Sequence, residues 1–175
     1  MIPSTCIPGF FAMRNTTMRI LFINERGDYS NATTYSLDLA TALAERDHEV
    51  QVCTGGGELL EQFRERSIET YEVSFNMLSM YKLMGYLRKF DPDLVHVQSF
   101  RSYEFGRKMT SRLEKPVILT VHTRPDPGVR ELRDRNLCGT IAANEVIREG
   151  LVNEPVSYTH LRAHETLRYL VCRLL

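Results

Sequence analysis

Only four cysteines occur in the 175 residues, Cys6, Cys53, Cys138 and Cys172, and no two stand at the spacing of a zinc site or a redox pair. Sparse, unpaired thiols fit a reducing compartment, and Cys53, near the end of an apolar run, reads as packing. The chain has no excess charge either. Its 22 basic side chains are matched by 22 acidic ones, whereas a nucleic-acid binder carries a basic surplus or stripe. The basic residues lie scattered, so no nucleic-acid partner is expected. No apolar run approaches the roughly 18 residues that a membrane helix needs. Residues 7–13 are apolar, but Pro8 and Gly9 interrupt them and no basic residue precedes them, which argues against a signal peptide. The dinucleotide fingerprint G-x-G-x-x-G is missing, and so is a phosphate loop ending in Gly-Lys-Ser/Thr. No repeat or low-complexity tract occurs. These absences point to a cytoplasmic globular protein, with no metal site and no cofactor expected.

What is present is alternation. Residues 18–24 (MRILFIN) form an apolar run typical of a buried parallel strand. A polar loop follows at 25–31, then a helix ending near Asp47 with Leu37, Ala40 and Ala44 on one face. Residues 49–54 (EVQVCT) read as a second strand, running into the turn signal Gly55, Gly56 and Gly57. A short helix over 58–66 turns Leu59, Leu60 and Phe63 inward, and 68–75 has strand composition. Asn76 can cap a helix striped by Met80, Met84 and Leu87, which stops before Pro92. Residues 94–98 (LVHVQ) are a fourth strand, and Ser102 is a plausible cap for the helix after it, with Phe105, Met109 and Leu113 on one face. A fifth strand spans 116–122 (PVILTVH). A loop rich in Pro and Gly and a charged stretch lead to a sixth at 139–143 (GTIAA), after which Asn144 caps a helix through Leu151. Strands alternating with helices imply right-handed crossovers, hence a doubly wound, mostly parallel α/β sheet of Rossmann-like form.

In such a sheet ligands sit beyond the carboxyl ends of the strands, where the strand order reverses. For an order 3-2-1-4-5-6 that point lies between strands one and four. The loops at 25–31, 98–102 and 122–128 then matter. The first holds Gly27, Asp28, Tyr29, Ser30 and Asn31 and leads into a helix N-terminus, which favours an anion or a sugar oxygen; the alternative is an ordinary capped turn. Ser99 and Arg124 stand in the other two loops. His122 ends the fifth strand, where an imidazole can bond a sugar hydroxyl or a developing charge, or simply the backbone. His96, among apolar neighbours inside strand four, reads as a buried packing residue. Asn144 and Glu145 open the last helix, where a cap and the helix dipole also explain them. Asp91-Pro92-Asp93 imitates a metal-binding Asp-x-Asp, but it precedes strand four and so reads as a turn at the wrong end of the sheet. His160 and His164 have the i, i+4 spacing of a zinc site, in a segment that argues otherwise.

Taken in order, MRILFIN, ALAERDHEVQVCT, DPDLVHVQS, PVILTVHT and TIAANEVIREGL resemble the N-terminal, acceptor-side domain of the retaining, GT-B type glycosyltransferase family 4. The resemblance covers about residues 18–153. It implies an enzyme that moves a sugar from a nucleotide-sugar donor to the hydroxyl of an acceptor glycan, lipid or small molecule. It implies that His122 lies close to the transferred sugar and that residues 27–31 lie near acceptor and donor phosphate. It places Asn144 and Glu145 at the turn after the sixth strand, where a Ser-Glu pair is commoner. The first loop often carries paired glycines in the family; here Gly27 stands alone. The family's C-terminal domain, which supplies most donor contacts, is absent, so this half by itself should be inactive. Peripheral membrane contact of the full-length parent is compatible with the resemblance.

The domain expectation is therefore a disordered extension over 1–17, the transferase domain over 18–155 and a non-native tail over 156–175. That tail begins VSYTHLRAHET, which looks like a translated sequencing-library adapter; the competing reading is a last helix with Leu167, Leu170, Val171 and Leu174 as its face. Two other functions remain open on the sequence. A non-catalytic flavodoxin-like or receiver-like module would share the alternation. A receiver, however, wants carboxylates where strands one and three here end in Asn24, Glu25, Phe75 and Asn76. A GT-B nucleotide-sugar epimerase would share the two-half architecture.

Overall fold

Successive side chains along a strand point to opposite faces, so a strand covered on both faces must be apolar throughout. The computed structural model, which describes residues 17–74, 77–123, 136–153 and 161–163, follows this for most strand positions, with buried His96 and Thr120, bonded to each other, among the exceptions. The chain runs β1 (Arg19–Asn24), α1 (Asn31–Ala44), β2 (Glu49–Thr54), α2 (Leu60–Glu65), β3 (Glu69–Glu72), α3 (Met77–Phe90), β4 (Leu94–Val97), α4 (Phe100–Leu113), β5 (Val117–Val121), β6 (Leu137–Ala142), α5 (Glu145–Asn153) and β7 (Leu161–Ala163). The sheet order is β3-β2-β1-β4-β5-β6-β7, and every pairing is parallel. Over the six expected strands this is the order 3-2-1-4-5-6.

Two hydrophobic layers sandwich the sheet. Ile20, Phe22, Val50, Val52 and Leu94 face one side and pack with Leu37, Ala40 and Leu43 of α1 and Phe63 of α2. Leu21, Ile23, Val95, Val97, Leu119 and Val121 face the other, against Leu83 and Leu87 of α3, Tyr103 of α4 and Leu151 of α5. Each fully buried residue of this kind contributes about 1.5–3 kcal/mol. Cys53 belongs to the second layer, and burial pushes its thiol up to about 12, so it is chemically inert at neutral pH.

Serines set the starts of α1 and α4. Ser30 takes an extended conformation and accepts from the Thr33 N–H, capping α1. At α4 the cap is Ser99, not the expected Ser102: β4 ends at Val97, the helix begins at Phe100, and Ser99 Oγ accepts the Ser102 N–H at 3.0 Å. Ser102 lies buried inside the first turn. Asn144 caps α5 as expected, accepting the Ile147 N–H at 2.9 Å.

Other boundaries moved for reasons of pairing. The third strand is shorter than residues 68–75 because β2, its single neighbour, ends at Thr54 opposite Glu72. The sixth begins earlier, at Leu137 opposite Val117. A register shift next to it sets Gly139 opposite Ile118, leaving Cys138 as the extra residue. A seventh strand, β7, lies beside β6 within the segment read as a tail or a last helix. The open edge of β6 presents the unpaired backbone groups that such an addition satisfies. The extension over 1–16, Asn76, the loop and charged stretch over 124–135 with Arg124, and the histidines at 160 and 164 fall outside the described residues.

The amino edge of the sheet is clamped by charge. The Arg19 guanidinium donates to Phe90 O at 3.0 Å and to Asp91 at 3.0 Å, while Asp93 accepts the Arg19 backbone N–H at 2.8 Å. Lys115 reaches Asp91 from the β5 side at 2.5 Å, and Lys115 and then Arg19 hold the Asp91 carboxyl below its usual range. The Asp-x-Asp sequence is thus a turn that ties α3 and β4 to β1, at the end of the sheet away from the cleft.

Candidate functional site at the carboxyl tips of β1 and β4

A cavity of about 360 Å³ opens at the carboxyl tips of β1 and β4, the point at which the strand order reverses. Its wall includes the strand ends Asn24 and Gln98, the first-loop residues Asp28, Tyr29 and Ser30, and the cap Ser99. The charges around it are already neutralised. Arg26 pairs with Asp28 at 2.8 Å and Arg101 pairs with Glu25 at 2.7 Å. Tyr29 is 65% exposed at the mouth, its hydroxyl accepting from Gln62 Nε2 at 2.7 Å.

Gly27 faces away from this cavity. Its N–H donates to Gly56 O at 2.5 Å, and its carbonyl accepts the Leu59 N–H at 2.9 Å, so the first loop is stitched to the loop after β2. A Cβ at Gly27 would lie 2.7 Å from Gly56 O. The glycine serves close backbone approach, and that approach positions Asp28, Tyr29 and Ser30. Asn31, the first residue of α1, is exposed and does not line the cavity.

His122 follows β5 and reaches across to Gln98, with Nε2 and Oε1 3.1 Å apart. A carboxamide oxygen can only accept, so the proton sits on Nε2 and Nδ1 is the acceptor nitrogen. The ring packs edge-on to Tyr35 at 5.2 Å. Burial lowers its pKa to about 4, so it is neutral at pH 7. Behind it His96 is 3% exposed, bonds Thr120 Oγ1 through Nε2 at 2.7 Å and lies against Phe22. The Tyr35 hydroxyl faces Thr120 without hydrogen-bond geometry, and burial raises its pKa. Burial, and secondarily the nearby His122, lowers the pKa of His96 to about 3.

A pH dependence follows. Both imidazoles titrate near about 6.5 in the unfolded chain and well below that in the fold. The folded state therefore binds fewer protons through this window. The stability is fully present above pH 6.5 and is lost as pH falls toward about 4 for His122 and about 3 for His96. We expect the melting temperature to be level above neutrality and to decline through this range, and His96→Gln to flatten the decline. A profile unchanged by that substitution would contradict the assignment.

The expected residues thus separate into groups. Asp28, Tyr29, Ser30 and Ser99 line one cavity, and His122 joins them through Gln98. Asn144 and Glu145 sit beyond the tip of β6, the former as a cap and the latter ion-paired to Arg148; neither lines the cavity. Asn24 and Gln98 were not among the residues singled out. Their signal is a polar residue closing an otherwise apolar run, MRILFIN and LVHVQ. Among the described residues no three His, Cys, Asp or Glu side chains converge as a metal site would require.

The sequence profile of Glycosyltransferase Family 4 matches residues 32–157, most of the chain. The chain belongs to that family. Family 4 membership accords with the solved structures that share its fold. Anabaena HepE in complex with UDP-glucose superposes with a TM-score of 0.68 at 13% identity, over 83% of this chain and 43% of that one. A glycosyltransferase from Rickettsia africae gives 0.68 at 13% identity, over 85% and 43%. Sucrose-phosphate synthase from Thermosynechococcus elongatus gives 0.64 at 14% identity, over 89% and 94%. At these identities the likeness is one of fold, that of a Rossmann-like half of a GT-B glycosyltransferase. The chain spans about 43% of the length of the first two proteins. No curated protein sequence matches it. The strand order also differs from the flavodoxin order 2-1-3-4-5, which removes the support for a flavodoxin-like module.

Proposed function

We propose that this chain is the acceptor-side half of an enzyme that moves a hexosyl group from a nucleotide-sugar donor to an acceptor hydroxyl with retention of configuration. The observation that carries the reading is the family 4 match across a chain whose cavity lies at the strand-order reversal, where Gln98 links it to His122. In this reading residues 18–155 are the transferase domain, 1–17 an extension and 156–175 foreign to it. A second domain supplies most of the nucleotide contacts. No described helix is long and apolar enough to cross a membrane, and the enzyme works in the cytoplasm on a glycan, lipid or small-molecule acceptor. His122 lines the reacting centre, with Asp28, Tyr29, Ser30 and Ser99 in the cavity beside it. Closure of the two halves excludes water and orients donor against acceptor, so the half alone turns nothing over.

The test is to express the two-domain gene product and supply a panel of nucleotide sugars, UDP-glucose first, with candidate acceptors. The expected result is a glycoside of unchanged anomeric configuration from the two-domain protein and none from the 175-residue chain. Epimerised nucleotide sugar without transfer would replace this reading by the epimerase one.

A further inference from the structure

Asn24 and Gln98 are neighbours at the tips of two paired strands. Ile23 pairs with Val97, and the Gln98 N–H donates to Ile23 O at 3.2 Å. Side chains two apart share a face, so Asn24 follows Phe22 and Gln98 follows His96 on the side covered by α1. Each is 2% exposed. In each the carboxamide oxygen is engaged: Asn24 Oδ1 accepts from Ser36 Oγ at 2.9 Å and Gln98 Oε1 accepts from His122. In each the nitrogen is buried without a partner, and both residues line the cavity. A buried donor left unpaired keeps its full desolvation cost uncompensated, and native folds hold few such groups. Two side by side, each fixed in orientation by a bond to its oxygen, form a donor pair awaiting an acceptor.

The surroundings select the acceptor's chemistry. The nearest cations, Arg26 and Arg101, are paired with Asp28 and Glu25. A phosphate here would meet two carboxylates and no unpaired cation among the described residues. A sugar hydroxyl accepts and donates at once, and the site offers amide donors beside carboxylate acceptors. The exposed ring of Tyr29 adds an apolar surface at the mouth, suited to the C–H face of a pyranose.

We infer that the amide nitrogens of Asn24 and Gln98 form a two-donor seat for the oxygens of a neutral sugar ring, with the Asp28 and Glu25 carboxylates accepting hydrogen bonds from its hydroxyls. This rests on the transferase reading above and specifies the acceptor as an uncharged glycosyl unit. His122 and Ser36 act through the seat: they occupy the two carboxamide oxygens, which leaves the N–H groups for a ligand.

The experiment uses the ¹⁵N-labelled chain. The side-chain NH2 signals of Asn24 and Gln98 are assigned by through-bond correlation and by their loss in Asn24→Asp and Gln98→Glu. These substitutions keep the oxygen that Ser36 or His122 bonds and remove the donor. The chain is titrated separately with the methyl α-glycosides of glucose, galactose and mannose, and with inorganic phosphate. At least one glycoside should shift both NH2 pairs, and each substitution should weaken its binding about tenfold, the loss of one hydrogen bond. Silence of both pairs toward all three glycosides, or a response to phosphate alone, would overturn the inference. The wild-type shifts decide the matter even if a variant fails to fold. Amide shifts without sugar transfer by the two-domain protein would spare the seat and sink the transferase reading; transfer without shifts would do the reverse.

Discussion

Gly57→Ala should lower stability by about 3 kcal/mol or more, the range in which backbone strain and a backbone clash add together. Gly57 has φ +130°, a conformation that residues with a Cβ rarely adopt, and a Cβ there would lie 2.2 Å from Gly27 C and 2.5 Å from Asp28 N. Those are main-chain atoms, and neither can rotate aside. Relief requires parting the loops that follow β1 and β2, which breaks the Gly27–Gly56 and Leu59–Gly27 hydrogen bonds. For a chain of this size the loss corresponds to a fall in melting temperature of roughly 10 °C. Gly85→Ala is the control: nothing lies within 4 Å of its Cβ and the position is in α3, so alanine should leave stability level or raise it by up to about 1 kcal/mol. A Gly57→Ala protein that melts with the wild type would show that the loop contact is not the constraint described. Because the same contact sets Asp28, Tyr29 and Ser30, sugar binding should weaken along with stability.

His122→Ala in the two-domain protein should cut kcat by about a hundredfold or more, the usual loss when one preorganised polar group at a reacting centre is removed, with a much smaller change in KM. The ring is held from two sides, by Gln98 and by Tyr35, so its polar atoms are placed before substrate arrives. Its lowered pKa constrains how it can act. A group neutral above pH 4 is no imidazolium acid at neutrality. The pH profile of kcat should therefore show no step near pH 6.5 that disappears in the variant. Near-normal turnover in His122→Ala would remove the histidine from the reacting centre. A His122-dependent step near 6.5 would mean that it is charged there.

Much of the fold was legible because burial on both faces leaves an unmistakable trace. β1, β2, β4 and β5 appear as apolar runs separated by helical stripes, and with right-handed crossovers few topologies remain. The misplacements have local physical causes. Ser99 and Ser102 are equally good caps in isolation, and which one serves depends on where β4 stops pairing. β3 and β6 start or end where their neighbours do, which is a property of pairs. The carboxyl-tip loops could be named because the switch-point geometry is general. The contact of Gly27 with Gly56 and Gly57 could not, since it joins segments about thirty residues apart through backbone alone. Nor could the seat of Asn24 and Gln98. An isolated polar residue at a strand end has many innocent explanations, and its unpaired nitrogen exists only once Ser36 and His122 have taken the oxygen.

The Arg19 clamp lies at the opposite rim from the unpaired amides. Sequence change is therefore filtered differently at the two ends. Drift among Arg19, Asp91, Asp93 and Lys115 is judged by whether the protein survives as a folded object. Drift among Asn24, Gln98 and Tyr29 is judged by which molecule is chosen. A lineage could diversify what it recognises by editing a handful of positions at one rim, while the other keeps the scaffold in place.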